Sequence, residues 1–587
     1  MPGKVTFIFD DGLASAYHTA YPIFKERSIS GCIAVCADFT KNEITREQAL
    51  AMQKDGWEIM SHGIRHIHMN EEISEEQARE EIISSKEKLE EAGFQVKQFV
   101  TPMSECNEKW FPLLYSAYDA AYTVYKNSGL LSVEELVIAK PVQHYELHRT
   151  SLSGKTLAQL KEYVDHIWEN DEWMVFYDHE IGAGENITDT ILSELLDYII
   201  EKGVKVLTGS QVMDHCLCKT HRIRSGYDGE RCMVHARCCT NANQLFFATA
   251  QYLDVKGCDL FSGLMFSKSK DGGKSFAEFR SDPGFAPTMD QEGNYIYGCD
   301  ATPMYHKKTG KFMVIGQTVR YSSTSMSPIP GERKTFYAVF DSEKDQFNPI
   351  KFIEMPDKEK FFNAGNGSGQ SIQFANGELL VPIYYKQDIS AAQYSSCVMR
   401  CSFDGETMEF IECGNSLTKA NEPRGVYEPS IIYFKDKYYM TLRGDNHGYH
   451  AVSDDGINFS DLSLWRWDNG EVLPNYNTQQ HWMVCGAELF LVYTRKAGTN
   501  DHVFRHRAPL FVARVNIEDM SLIRESEFIA VPERGARLGN FGVFSESENK
   551  AFIMAAEWMQ PRGCESYGSN NSIYLTEINM EDHRSEN

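Results

Sequence analysis

The chain has 587 residues, 42% hydrophobic and 24% charged, several times the roughly 100–200 residues of one domain; at least two separately cored domains are expected, and a disordered or fibrous chain is excluded. The 58 Lys and Arg against 83 Asp and Glu leave a net charge of -25, a field that repels phosphate backbones and anionic lipid surfaces, so neither nucleic acid nor membrane is an expected partner. No apolar run approaches the roughly 20 residues that span a bilayer, and the start Met1-Pro2-Gly3-Lys4 lacks the plan of a signal peptide; the expected location is cytoplasmic, or secreted if a leader has been trimmed.

Up to about residue 215, short apolar runs alternate with helical stretches. Val5–Phe9, Gly31–Val35, Trp57–Met60, Trp173–Tyr177 and Val204–Leu207 read as buried strands, being short, partly β-branched and bounded by turns. Ser74 with Gln77 and Thr156 with Gln159 are capping boxes that open helices, and a third helix around Ile191–Glu201 runs into Lys202-Gly203. The Glu/Lys-rich run Glu71–Glu91 reads as a solvated helix face. Strands alternating with helices imply a mostly parallel sheet or barrel, with its active site at the carboxyl ends of the strands.

Three strand ends carry chemistry. Asp10-Asp11-Gly12 follows the first strand, two carboxylates with a glycine that lets the chain turn; alone, such a doublet more often makes an Asx turn. Ser61-His62-Gly63-Ile64-Arg65-His66 sets two histidines four apart, which on a helical turn face one way and suit one divalent ion, with His68 a nearby third imidazole. With Asp11 they make a three-ligand set that leaves positions open for water and substrate, as a catalytic metal requires. Tyr177-Asp178-His179 delivers a histidine, suited to general-acid work near neutral pH, at another strand end.

In order and spacing these segments resemble three motifs of the polysaccharide deacetylase (NodB-homology) family over residues 4 to about 214. The resemblance implies a distorted (β/α) barrel, Asp10 as catalytic base, His179 as catalytic acid, and Asp11, His62 and His66 as ligands of a divalent metal, Zn2+ first with Co2+, Ni2+ or Mn2+ as alternatives. It implies a carbohydrate substrate losing an N- or O-acetyl group. The family's third motif usually carries an arginine, and Phe99-Val100-Thr101-Pro102-Met103-Ser104 keeps only the proline; Arg149 is the expected substitute.

After about residue 230 the helical signal fades and short aromatic-rich strands take over, among them Gln244–Ala248, Phe312–Ile315, Leu379–Tyr385, Ile431–Phe434, Tyr438–Leu442, Leu489–Tyr493 and Ala551–Met554. A stretch this long favours a β-propeller over a sandwich. Ser269-Lys270-Asp271-Gly272-Gly273-Lys274-Ser275-Phe276 fits the Asp-box of sialidase-like propellers, and Ser453-Asp454-Asp455-Gly456-Ile457-Asn458-Phe459 is a shortened copy. This second resemblance implies six blades. Glu428, Arg443 and Arg507 would line a cleft able to hold an acidic sugar, with Arg237 a weaker addition and Tyr493 a guess at a nucleophile; solvated strand-end charges are the plain alternative.

The expected organisation is therefore a deacetylase barrel over 1–215, a linker over 216–230, a sialidase-like propeller over 231–580 and a polar tail over 581–587. The propeller would bind glycan, cleave it beside the deacetylase, or be the principal catalytic domain as a glycoside hydrolase. The 15 cysteines are an odd, irregularly spaced set, expected as reduced thiols; Cys216, Cys218, Cys232, Cys238 and Cys239 with His215, His221 and His235 gather near the join but lack the paired knuckles of a structural zinc site.

Overall fold

Alternation along a strand sends successive side chains to opposite faces, and in the first part of the chain both faces are apolar, as a covered parallel sheet demands. Phe7 and Phe9 of the strand Lys4–Phe9 pack outward among helices, while Ile8 joins Cys32, Ala34, Met60, Val100, Tyr122 and Val175 inside. The computed structural model describes residues 3–580 except 140, 183, 242, 258 and 368; the expected tail 581–587 lies outside the described residues. Two compact units emerge, Met1–His221 and Arg222–Asn587, and Cys218–Arg224, read from sequence as linker, is a β-strand.

The first unit is a parallel, nearly closed barrel. Its strands run in the order Leu147–His148, Ala120–Val124, Gln98–Val100, Glu58–Ser61, Cys32–Val35, Lys4–Phe9, Trp173–Asp178, Thr150–Ser151, with Lys205–Val206 paired beside Lys4–Phe9. The two edges of this sheet, Leu147–His148 and Thr150–Ser151, are separated in the chain by the single residue Arg149. Capping boxes at Ser74/Gln77 and Thr156/Gln159 start their helices, and Gly203, at φ 77°, ends Asp189–Lys202. A further helix, Arg46–Lys54, opens on a Thr45/Gln48 box that the sequence reading passed over.

The second unit is six small antiparallel sheets arranged as a six-bladed propeller, from Arg231–Thr240 in the first blade to Ile573–Asn579 in the last. Asn571, fully buried, closes the ring: its side chain accepts the Met233 N–H at 2.8 Å and donates to the Met233 carbonyl at 2.9 Å. Two hairpin turns repeat one arrangement. Asp271 accepts the Ser275 N–H at 3.0 Å and Asp455 the Asn458 N–H at 2.7 Å, while the Ser269 and Ser453 hydroxyls accept the N–H groups of Gly273 and Gly456. Among the described residues no helix is long and apolar enough to cross a membrane.

Candidate active site

Because Ile8 faces the barrel axis, Asp10, two residues on, enters the interior at the carboxyl end of the strand. It is 2% exposed, and its N–H donates to the Asp178 carbonyl at 3.0 Å. The chain then reverses through Asp11, at φ 64°, and Gly12, at φ 58°, where a Cβ would lie 2.8 Å from Asn42 Oδ1. Gly12 is thus required both by its dihedral and by the Asn42 side chain folded over it.

Asp11 Oδ1 lies 3.2 Å from His62 Nε2 and 3.0 Å from His66 Nε2. The segment joining the histidines is not the helical turn expected from their spacing: Gly63 and His66 both take left-handed dihedrals, φ 76° and 56°, and the two rings meet with centroids 4.9 Å apart. His68 is exposed and stands outside this group. His62 Nδ1 is 2.7 Å from the Val100 carbonyl, a contact that orients the ring with Nε2 toward Asp11. Burial works against ionisation of Asp11, but the two imidazoles hold its pKa well below the usual carboxylate range, and Asp11 in turn raises that of His66. Asp11 Oδ1 is buried without a conventional hydrogen bond. A carboxylate oxygen and two imidazole nitrogens this close need positive charge between them, which a divalent ion supplies, so two nitrogens and one oxygen drawn together this way fit such an ion.

Arg149, the expected substitute for the third motif's arginine, lies against Asp10. From the seam between the sheet edges its Nη1 reaches Asp10 Oδ1 at 2.6 Å and Oδ2 at 2.5 Å, and Nη2 donates to Ser104 Oγ at 3.2 Å. Its Cζ lies over the Tyr177 ring, 4.5 Å from the centroid. The register Phe9↔Asp178 makes Asp10 and His179 the next pair across two adjacent strand ends. Asp178 is buried and holds the His179 loop by accepting the N–H groups of His179 and Ile187, both at 2.9 Å, and the Ser153 hydroxyl at 2.8 Å. His179 itself is exposed, its ring edge-on to Tyr177.

In the propeller, Glu428 and Arg443 are a buried ion pair: Nη2 donates to Oε1 at 3.0 Å, and Nε lies 3.0 Å from Oε2. Arg443 and Arg507 each donate to the Asn477 carbonyl at 3.0 Å. Burial pushes the Arg507 pKa down, and the nearby Arg443, Arg537 and Arg505 push it further; burial raises that of Glu428, with Arg443 opposing. Arg237 is paired with Asp300 at 3.5 Å. Tyr493 sits fully buried in an apolar cluster with its hydroxyl on Glu527 at 2.6 Å.

Sequence reasoning missed that His235, Asp300 and Glu428 occupy the same place in three blades. Each has left-handed φ, 57°, 53° and 53°, and opens a register shift in its blade's first long pair of strands. The repeated signal is a polar residue followed by a small one or proline: His235-Ala236, Asp300-Ala301, Glu428-Pro429. His235, Cys299 and Asp300 also gather closely enough to suggest a metal site. However, Asn540 Nδ2 donates to His235 Nε2 at 2.9 Å and Nδ1 donates to Gln251 Oε1 at 3.3 Å, which satisfies the imidazole without an ion.

Residues 2–123 match the family model for polysaccharide deacetylase, and the N-terminal part of the chain carries that domain. No curated protein matches the sequence. Among solved structures, a protein of unknown function from Dyadobacter fermentans is similar at 13% identity, TM-score 0.45, over 62% of this chain and 99% of that one. The Hadza microbial sialidase Hz136 is similar at 11% identity, TM-score 0.43, over 62% and 68% of the two chains. Trypanosoma rangeli sialidase is similar at 13%, TM-score 0.42, over 61% and 58%.

Proposed function

We propose that the first unit is a metal-dependent carbohydrate deacetylase that removes an N- or O-acetyl group from a glycan or oligosaccharide. The observation that carries the reading is the convergence of Asp11 Oδ1 on the Nε2 atoms of His62 and His66, at 3.2 and 3.0 Å. That donor set suits Zn2+, with Co2+, Ni2+ or Mn2+ as alternatives. When bound there, the ion supplies Lewis-acid polarisation of the acyl carbonyl. Asp10, held by Arg149 on both carboxylate oxygens, takes the proton of the attacking water. His179, on the neighbouring strand end, gives a proton to the departing nitrogen or oxygen, which an amide needs because its nitrogen leaves poorly as an anion. The products are acetate and a free amine or hydroxyl.

Acetate release from a series of acetylated glycans tests this, with the metal-stripped protein and His62→Ala as controls. Release that survives loss of metal from His62→Ala would refute the reading.

A second site follows from the propeller cluster. Arg443 and Arg507 lie beside Glu428, which also has Asp300 nearby, and Arg505 and Arg537 lie beside Arg507; this gathering of guanidinium groups suits the carboxylate of an acidic sugar. The propeller then binds such a glycan, or cleaves it as a glycoside hydrolase. Fluorogenic glycosides separate the two: turnover lost in Glu428→Ala marks a hydrolase, and binding without turnover marks a recognition module.

A further inference from the structure

The helix after the histidine turn carries many acids, but one of them is not on its solvated face. Glu81 has 0% exposure, as do Ala78, Ile82, Ser85 and Leu89. These five positions fall at i, i+3, i+4, i+7 and i+11, so Glu81 lies within the buried stripe, where an unpaired carboxylate is costly. It also lies in a π-helical turn, Glu80–Ser84, set between the α-helical segments Glu75–Arg79 and Ser85–Glu91, a feature that recurs at functional sites.

The partners of Glu81 are the middle residues of the segment between the two histidines. Oε2 accepts the N–H of Ile64 at 2.7 Å and of Arg65 at 3.1 Å, and Oε1 accepts Arg65 Nε–H at 2.9 Å. Because Gly63 and His66 are left-handed, this segment offers its N–H groups no helical acceptors, and a buried backbone N–H must find one elsewhere. A Cβ on Gly63 would come within 2.6 Å of Glu81 Oε2, so glycine is what lets the carboxylate close on the turn.

We propose that Glu81 is a positioning residue of the metal centre: it clamps the 62–66 turn in the conformation that brings both Nε2 atoms to Asp11, and so sets metal affinity without touching the ion. The inference rests on the deacetylase reading for the presence of that ion. Calorimetric titration of the full chain with Zn2+ tests it, comparing wild type, His62→Ala and Glu81→Gln. Gln keeps the size and one acceptor but turns an amide NH2 toward a donor already there. The Zn2+ dissociation constant of Glu81→Gln is expected to rise about tenfold to hundredfold, as outer-shell losses do, and the Zn2+ concentration for half-maximal acetate release to rise by the same factor. Wild-type Zn2+ affinity in Glu81→Gln, with affinity lost in His62→Ala, overturns the clamp and spares the deacetylase. Zn2+ binding that depends on Glu81 without acetate release does the reverse, and a wild type that binds no Zn2+ overturns both. Should Glu81→Gln fail to fold, Arg65→Ala removes the exposed guanidinium from Glu81 Oε1 and from Glu80 Oε2, with Glu80→Gln as the control for the second contact; a severalfold weaker Zn2+ affinity in Arg65→Ala alone is expected, and an unchanged one overturns the clamp.

Discussion

Replacing Arg149 by Met keeps a side chain of similar length against Tyr177 and removes only the charge and its donors. In the native barrel the Arg149 and Asp10 side chains are each 3% exposed and in direct contact, so the substitution leaves an uncompensated buried carboxylate. Breaking one side of such a pair costs about 3–5 kcal/mol. In a unit of this size each kcal/mol moves the midpoint by roughly 2–4 °C, so the transition of the first unit should fall by roughly 6–20 °C while that of the propeller stays put. Calorimetry of the whole chain resolves the two, since a two-unit chain is not expected to melt as one. Catalysis should fall further than stability implies: a base misplaced by about 1 Å loses on the order of a hundredfold in rate. Arg149→Lys should recover part of the stability and less of the rate, because an ammonium lacks the fork that grips Asp10 and Ser104 together. An Arg149→Met protein that melts within about 1 °C of wild type and releases acetate at the wild-type rate would refute the reasoning.

Since His179 is exposed, His179→Ala should leave stability within about 0.5 kcal/mol yet slow acetate release from acetamido sugars by about 10²–10⁴-fold. Aryl acetates, whose leaving group departs without a proton, should lose much less, and equal losses on both would remove His179 from the role of acid. In the propeller, Glu428→Gln and Arg443→Met each break a buried pair and should each cost about 3–5 kcal/mol; the double variant should cost less than their sum, as a double-mutant cycle on the propeller transition will read. Burial pulls the His481 pKa down to about 3 and those of His148 and His450 to about 4. These histidines stay neutral in the folded state, so their contribution is full above an unfolded pKa of about 6.5 and is lost as pH falls toward 3–4. At about 1.4 kcal/mol per unit, His481 alone contributes up to about 4–5 kcal/mol by pH 3, and His481→Gln should flatten the acid limb of the propeller's stability.

The strands that carry chemistry were legible because a covered parallel strand is a short apolar run that ends where its side chains meet solvent: Phe9 before Asp10, Tyr177 before Asp178. Gln98–Val100 and the two-residue edges around Arg149 were not, since runs that short carry no period. The six blades were readable as a class from aromatic-rich strands and turns. Their inner ends were not, because a bulge at His235, Asp300 or Glu428 breaks the alternation on which such reading depends. Glu81 was misread for a different reason. Its stripe at i, i+3, i+4 and i+7 is present in the sequence, but a Glu within it looks like part of the polar face until its partners, the N–H groups of an irregular turn, are known.

The same geometry explains why an arginine can leave the third motif without leaving the site. In a nearly closed parallel barrel every strand delivers its carboxyl end to one rim, so a guanidinium that reaches the base from one strand end can be supplied from another. The seam is suited to this: Leu147–His148 and Thr150–Ser151 each pair on one side only, and the residue between them is free of ladder constraints on both. Arg149 uses that freedom to turn inward onto Asp10, while Ser104 of the altered motif keeps a hydroxyl on the same guanidinium at 3.2 Å. Met103, beside Ser104, is 60% exposed, so on the proposed deacetylase reading the altered motif offers an apolar side chain at this rim while Arg149 supports Asp10 from the seam.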